Sequence, residues 1–146
     1  MANSYFQFKQ FTIRQDRCAM KVTTDGCLFG AWAAEKINSV THPDYFGKEL
    51  VINSCIDIGT GTGLLALMMA QQSKLFIDTI EIDKDAFEQA SENIAASPWA
   101  GRIKIIHRDA KGFTSQNKYN VIISNPPFYE KELKGQDAKK NLAHQE

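Results

Sequence analysis

Four short apolar runs between residues 51 and 124 constrain the fold more than any other feature of this chain. VINSCIDI (51–58), LFIDTIEI (75–82), RIKIIH (102–107) and YNVIIS (119–124) are rich in β-branched residues. GLLALMMAQQ, unbranched and helix-prone, separates the first two. KDAFEQASENIAAS separates the second and third, with Phe87, Ala90 and Ile94 on one face and Pro98 just beyond its end. Strand alternating with helix predicts βαβ units, hence an α/β fold with a parallel sheet covered by helices on both faces. The link between the third and fourth runs is shorter and polar, carries Gly112 and Phe113, and has room for one helical turn at most.

An extra layer precedes these units. FQFKQFTIR places Phe6, Phe8, Phe11 and Ile13 in loose alternation, which predicts a short strand or hairpin. MKVTTDGCLFGAWAAEKI then runs into a helix whose expected apolar face holds Leu28, Phe29, Trp32 and Ile37. The organisation is one partial domain: a cap over 1–40, a core over 50–128 and a polar tail over 129–146, expected to be loop or mobile. At 146 residues, 43% hydrophobic and 23% charged, the chain suits one globular domain with its own core. No stretch approaches the roughly 18 apolar residues of a membrane span. MANSYFQFKQ lacks the pattern of a signal peptide. Cys18, Cys27 and Cys55 form no CxxC pair, which argues for free thiols in a reducing cytoplasm and against a disulfide frame or a metal site.

Net charge is zero but uneven. Lys+Arg minus Asp+Glu is 5 − 3 = +2 over 1–36, 3 − 9 = −6 over 37–100 and 9 − 5 = +4 over 101–146. Basic ends suit an anionic partner; solvated surface lysines explain the pattern equally well.

The first chemical motif is DIGTGTGLLAL, which sets Asp57 at a strand end before Gly59, Thr60, Gly61 and Gly63 and then a helix. Glycines there allow a tight turn and close approach of a ligand to the main chain, and the helix start offers amide donors. The dinucleotide pattern GxGxxG fails when counted from Gly59, where Leu64 replaces the last glycine; counted from Gly61 it survives weakly through Ala66. Asp57, a carboxylate close to where a pyrophosphate would lie, suits a cationic or zwitterionic ligand better.

The second run ends in TIEID, with Glu81 placed 22 residues after Gly59, where a carboxylate can accept from both hydroxyls of a ribose. Asp83 competes for that role but is better placed to cap the following helix. The third run ends in HRDA, so Asp109 or the backbone around it, including Ala110, could meet an adenine amino group. The fourth ends in NPPF. Asn125 offers an amide oxygen and Pro126 a carbonyl, together able to hold both N–H bonds of a planar amino group. Two prolines hold these acceptors in place before substrate arrives. Phe128, after Pro127, supplies a stacking face worth roughly 1–3 kcal/mol on a base. A turn ending an edge strand is the plainer reading of the same residues. Ligands of open parallel sheets bind beyond the carboxyl ends of the strands, the edge to which Asp57, Glu81, Asp109 and Asn125 are all assigned.

DIGTGTG, IEID and SNPPF, in this order, resemble class I S-adenosylmethionine-dependent methyltransferases that modify amino groups. The resemblance implies a Rossmann-like sheet, with S-adenosyl-L-methionine as cofactor, a glycine loop cradling its methionine and ribose, and Glu81 with Ile82 beside the ribose and adenine. It also implies that Asn125, Pro126, Pro127 and Phe128 hold the target nitrogen for direct in-line displacement. FKQFTIRQDRCAMKVTTDGCLFGAWA is further similar to the start of the bacterial tRNA (adenine-N6)-methyltransferases that act on a valine tRNA beside the anticodon. That similarity places Lys21, Thr24, Asp25 and Gly26 near the cofactor and makes tRNA the partner. Lys9, Arg14, Arg17 and Lys21 would then contact phosphate.

Two departures from that family stand out. Asn120 replaces a usual aspartate at the start of the fourth strand, an expectedly mild change. Such enzymes have seven strands and this chain supplies four, so it is expected to be a fragment lacking the far side of the sheet. Two alternatives follow: methylation of a protein glutamine, as in release factors, and a non-catalytic fragment that binds S-adenosylmethionine.

Overall fold

The computed structural model describes residues 4–40, 52–116 and 118–126; Pro127, Phe128 and the expected tail 129–146 lie outside them. The four apolar runs form four strands: β3 Ser54–Ile58, β4 Phe76–Glu81, β5 Ile103–His107 and β6 Val121–Ser124. They pair in the order β5-β4-β3-β6, and every pairing is parallel. Cys55, Ile77 and Ile103 stand level on three neighbouring strands and are buried together. Helix α2 Leu64–Gln72 packs in the same core; apolar nearly all round, it buries Leu64, Leu65, Ala66, Leu67, Met69 and Ala70. Helix α3 Lys84–Ala95 follows β4 and is amphipathic. A single 3₁₀ turn, Ala100–Arg102, leads into β5, fastened by the Arg102 guanidinium donating to Leu75 O and Ala70 O, both at 2.8 Å. The described part of the link to β6 contains no helix.

The N-terminal segment is the expected hairpin. β1 Tyr5–Gln7 pairs antiparallel with β2 Thr12–Arg14, and Phe6 stands opposite Ile13. Phe8 stacks on Phe11 at 4.6 Å between ring centroids, and Phe11 meets Trp99 edge-on at 5.6 Å. Asn120 performs an acceptor's task at the foot of β6: its Oδ1 accepts from the backbone N–H groups of Asn53 and Ser54, at 2.8 and 3.2 Å. A neutral amide oxygen serves both donors.

Helix α1 Thr24–Val40 bears out half of its expected face: Ile37 is buried and Phe29 packs against the core, while Leu28 and Trp32 do not. Leu28 and Trp32 are 64% and 59% exposed, and the buried face is Gly26, Gly30, Ala33, Ala34 and Ile37. The cause is close approach to α2. A Cβ on Gly30 would lie 2.3 Å from Met68 Sδ, so a larger residue there requires the Met68 side chain to move. Trp32 instead stacks loosely on Phe29, their centroids 6.4 Å apart. On α3, Ala90 and Ile94 are buried as expected, whereas Phe87 is half-exposed and stacks on His107 at 5.0 Å. Gln89 and Asn93 on that helix are buried although their polar side chains give no sign of it in the sequence.

Two of the four expected phosphate contacts have internal partners. Arg17 pairs with Glu88 and Glu92, and the Lys21 ammonium donates to Gln15 O and Cys18 O. Lys9 and Arg14 remain exposed on the hairpin.

The α1–α2 contact makes a direct prediction. Gly30→Leu overfills it and should lower stability by about 1–3 kcal/mol, read as a shifted denaturant midpoint. Trp32→Gln, a larger change in chemistry on the exposed side, should stay within about 0.5 kcal/mol.

Candidate functional site

The loop after β3 carries few side chains and is held in shape by its neighbours. Gly59 N and Thr60 N both donate to Ile80 O, at 2.8 and 3.1 Å, and Gly63 N donates to Thr60 O at 2.9 Å. Gly61 and Gly63 sit at φ 57° and 91°, left-handed backbone that a residue with a Cβ adopts only with strain. Gly63 begins α2 and also rests on α3, where an added Cβ would meet Ala90 Cβ at 3.6 Å.

Two acids on neighbouring strands support this loop from below. Glu81 Oε1 accepts from Gly61 N at 2.7 Å and Oε2 from Asp83 N at 3.0 Å, so both carboxylate oxygens are tied to backbone. Each oxygen keeps a lone pair for a ligand hydroxyl. Asp83 caps α3 as expected, its Oδ2 accepting from Ala86 N at 2.9 Å. Asp57 is fully buried inside β3. Its Oδ2 accepts from the Thr60 hydroxyl at 2.7 Å, while Oδ1 has no hydrogen-bond partner among the described residues. Burial pushes this carboxyl up to about 7, against the opposing Thr60 hydrogen bond and with help from the charge of Glu81.

The remaining wall comes from the N-terminal segment. Residues 18–23 line a cavity of about 510 Å³ together with Gly26, the glycine loop, Leu64, Leu65, Glu81, Ile82, Asp83, Ala86 and Asn125. Thr23 Oγ1 accepts from Gly26 N at 3.0 Å and so caps the first turn of α1. That turn lies against the end of β6: a Cβ on Gly26 would be 3.8 Å from Asn125 Nδ2. Desolvation holds the Cys18 thiol up at about 11, with the charge of Glu81 adding to it, so it stays protonated. The wall thus offers carboxylate acceptors, peptide groups and one free-standing amide. Such a set binds and orients a polar ligand. Among the described residues, no group of His, Cys, Asp and Glu could hold a metal ion.

Of the residues singled out in the sequence, Lys21, Gly26, Gly59, Thr60, Gly61, Glu81, Ile82 and Asn125 line this cavity. Asp57 lies beneath the loop instead of at its rim, and Gly63 faces α3. Thr24 and Asp25 are exposed on α1 beside Thr23. Asp109 is also exposed, its Oδ1 accepting from Lys111 N at 2.9 Å, and neither it nor Ala110 is part of the cavity wall. Pro126 is exposed after β6. Cys18, Met20, Thr23 and Thr62 join the wall without a sequence signal, because their positions depend on how the N-terminal segment folds over the loop.

The state of Asp57 has a measurable consequence. Its carboxyl ionises near 3.8 when unfolded and about 7 when folded, so folding takes up a proton between those values. Stability from this group is therefore present below 3.8 and lost as pH rises to about 7. Asp57→Asn should remove that slope, making the variant more stable than the parent at pH 8 and nearer to it at pH 4, as read from thermal midpoints across pH.

Residues 44–145 match the family described as methyltransferase small domain. A curated relative from Dyadobacter fermentans, named tRNA1(Val) (adenine(37)-N6)-methyltransferase, is 48% identical over 97% of this chain and 54% of its own length. One of the same name from Phocaeicola vulgatus is 47% identical over 98% of this chain and 55% of its own. The chain therefore spans about half the length of these curated relatives. A solved S-adenosylmethionine-dependent methyltransferase from Thiobacillus denitrificans, in complex with S-adenosyl-L-homocysteine, is similar at a TM-score of 0.54. It is 24% identical and the match covers 77% of this chain and 40% of that one, a likeness of fold. The parallel sheet with its glycine loop is the Rossmann-like fold of class I methyltransferases, and with most of its length matched the chain belongs to the methyltransferase small domain family.

Proposed function

We propose that the protein to which this sequence belongs transfers a methyl group from S-adenosyl-L-methionine to the exocyclic N6 of an adenine in tRNA, next to the anticodon of a valine tRNA. One observation carries the reading: the glycine loop, Glu81 and Asn125 converge on a single cavity although they come from three different strand ends. The names of the curated relatives supply the substrate. The cavity suits the cofactor, since Glu81 keeps acceptor capacity for ribose hydroxyls and the loop exposes its backbone to the methionine portion. When bound, the cofactor supplies an electrophilic methyl on a sulfonium. Asn125 then accepts from the adenine amino group through its side-chain oxygen, with the carbonyl of Pro126 as the second acceptor. Held by both hydrogens at Asn125 and Pro126, the nitrogen would present its lone pair in line with the cofactor's methyl, and its extra proton would leave to solvent after transfer. No general base is needed. An RNA partner suits a cytoplasmic location, and no helix among the described residues is long and apolar enough to cross a membrane.

The half-length match favours one competing reading, a fragment that binds the cofactor without transferring methyl. Labelled S-adenosylmethionine offered with unmodified tRNA and with a protein extract distinguishes these. Label recovered as N6-methyladenosine in tRNA supports the proposal, label on protein glutamine replaces it, and cofactor binding without transfer supports the fragment. Asn125→Ala should reduce transfer by about a hundredfold or more while S-adenosylhomocysteine binding persists; retained transfer would remove Asn125 from the mechanism.

A further inference from the structure

Asn93 is 3% exposed, and its amide is fully engaged. Its Oδ1 accepts from Arg14 N at 2.8 Å, and its Nδ2 donates to Arg14 O at 3.0 Å and to Thr62 O at 2.8 Å. On the far edge of β2, away from β1, the side chain pairs with Arg14 through both backbone groups, as a neighbouring strand would. The third bond reaches Thr62, between Gly61 and Gly63, two of the loop's three left-handed glycines. One turn earlier on α3, Gln89 is 1% exposed; it accepts from Arg17 N at 2.6 Å and donates to Asp16 Oδ1 at 3.2 Å. These bonds hold residues 14–17, and the chain continues directly into residues 18–23, the cavity wall. Thus one face of α3 fixes both sides of the cavity: the glycine loop through Asn93 and Ala90, the N-terminal wall through Asn93 and Gln89.

We propose that Asn93 is a positioning residue for the cofactor cavity, coupling the N-terminal segment to the glycine loop so that the two move as one unit. Buried amides with every donor and acceptor matched specify a single arrangement, and a loop poor in side chains has few other means of being specified. Removing the amide leaves Thr62 O and both Arg14 backbone groups without it, and frees the loop and the segment from each other. A ligand must then re-order both on binding, which weakens affinity without any lost contact to the ligand. The coupling deepens the cofactor reading above and rests on it for the identity of the ligand alone.

The test compares Asn93→Ala with Ile94→Val, a core change in the same helix, in the full chain. Two readouts are taken: hydrogen exchange of amides in 14–23 and 59–63, and the dissociation constant for S-adenosylhomocysteine. Asn93→Ala should raise exchange in both segments together and weaken binding about tenfold. Ile94→Val should lower the thermal midpoint and leave both readouts near the parent. Gln89→Ala should loosen 14–23 and leave 59–63 protected. If Asn93→Ala does not fold, Asn93→Ser, whose hydroxyl can retain one of the bonds, carries the same comparison. Unchanged loop exchange and affinity in a folded Asn93 variant overturns the proposal. A parent that fails to bind S-adenosylhomocysteine, while Asn93→Ala still raises exchange in both segments, overturns the cofactor reading and leaves the coupling standing.

Discussion

Everything at the carboxyl edge of the sheet depends on how a loop with few side chains is held still. Its glycines permit the left-handed turns at Gly61 and Gly63 but cannot choose them, since glycine visits many conformations with equal ease. The choice is made by neighbours. Glu81 takes the amide of Gly61, Ile80 takes those of Gly59 and Thr60, Asp57 takes the hydroxyl of Thr60, and Asn93 gives a hydrogen bond to Thr62. All four neighbours sit on β3, β4 or α3, so the loop inherits its geometry from the core. Glu81 consequently has two tasks, as a strut for the loop and as an acceptor facing the cavity. A change there disturbs the loop and the cavity's acceptor at once.

Burying acids beneath a ligand loop is costly, and the molecule shows where the cost falls. Asp57 has one oxygen satisfied by Thr60 and one without a partner, in contact with the field of Glu81. The cost appears as a carboxyl held up at about 7, which keeps it partly protonated near neutral pH. Lys21, in the cavity wall, and Arg17, just before it, are bonded to carbonyls or side chains of the fold itself. They shape the wall, while Lys9 and Arg14 stay exposed on the hairpin.

Much was legible in the sequence. The four strands, the two helices between them, the hairpin and the helix cap at Asp83 follow from side-chain periodicity and capping chemistry, which act over a few residues and leave a local imprint. The strand ends bearing Glu81 and Asn125 could be placed at one edge, because parallel strands joined by crossovers must share that edge. Asp57 and Asp109 show the limit of that argument. One lies beneath the loop and the other is turned outward to Lys111, because being at a strand end does not determine which way a side chain faces.

By itself the sequence determined the class of fold, the site of the glycine loop and the family to which the chain belongs, since all three reside in contiguous motifs and a short-range apolar rhythm. Only the tertiary structure decided how far the buried face of α1 extends: it placed Gly30, Ala33, Ala34 and Ile37 inside, with Gly30 against the Met68 side chain of α2, and left Leu28 and Trp32 outside. It likewise decided that Gln89 and Asn93, ordinary polar residues in a helical pattern, would be buried and bind a segment more than seventy positions away. Such choices are energetic outcomes of two surfaces meeting. Neither surface carries the answer alone, so no single stretch of sequence records it.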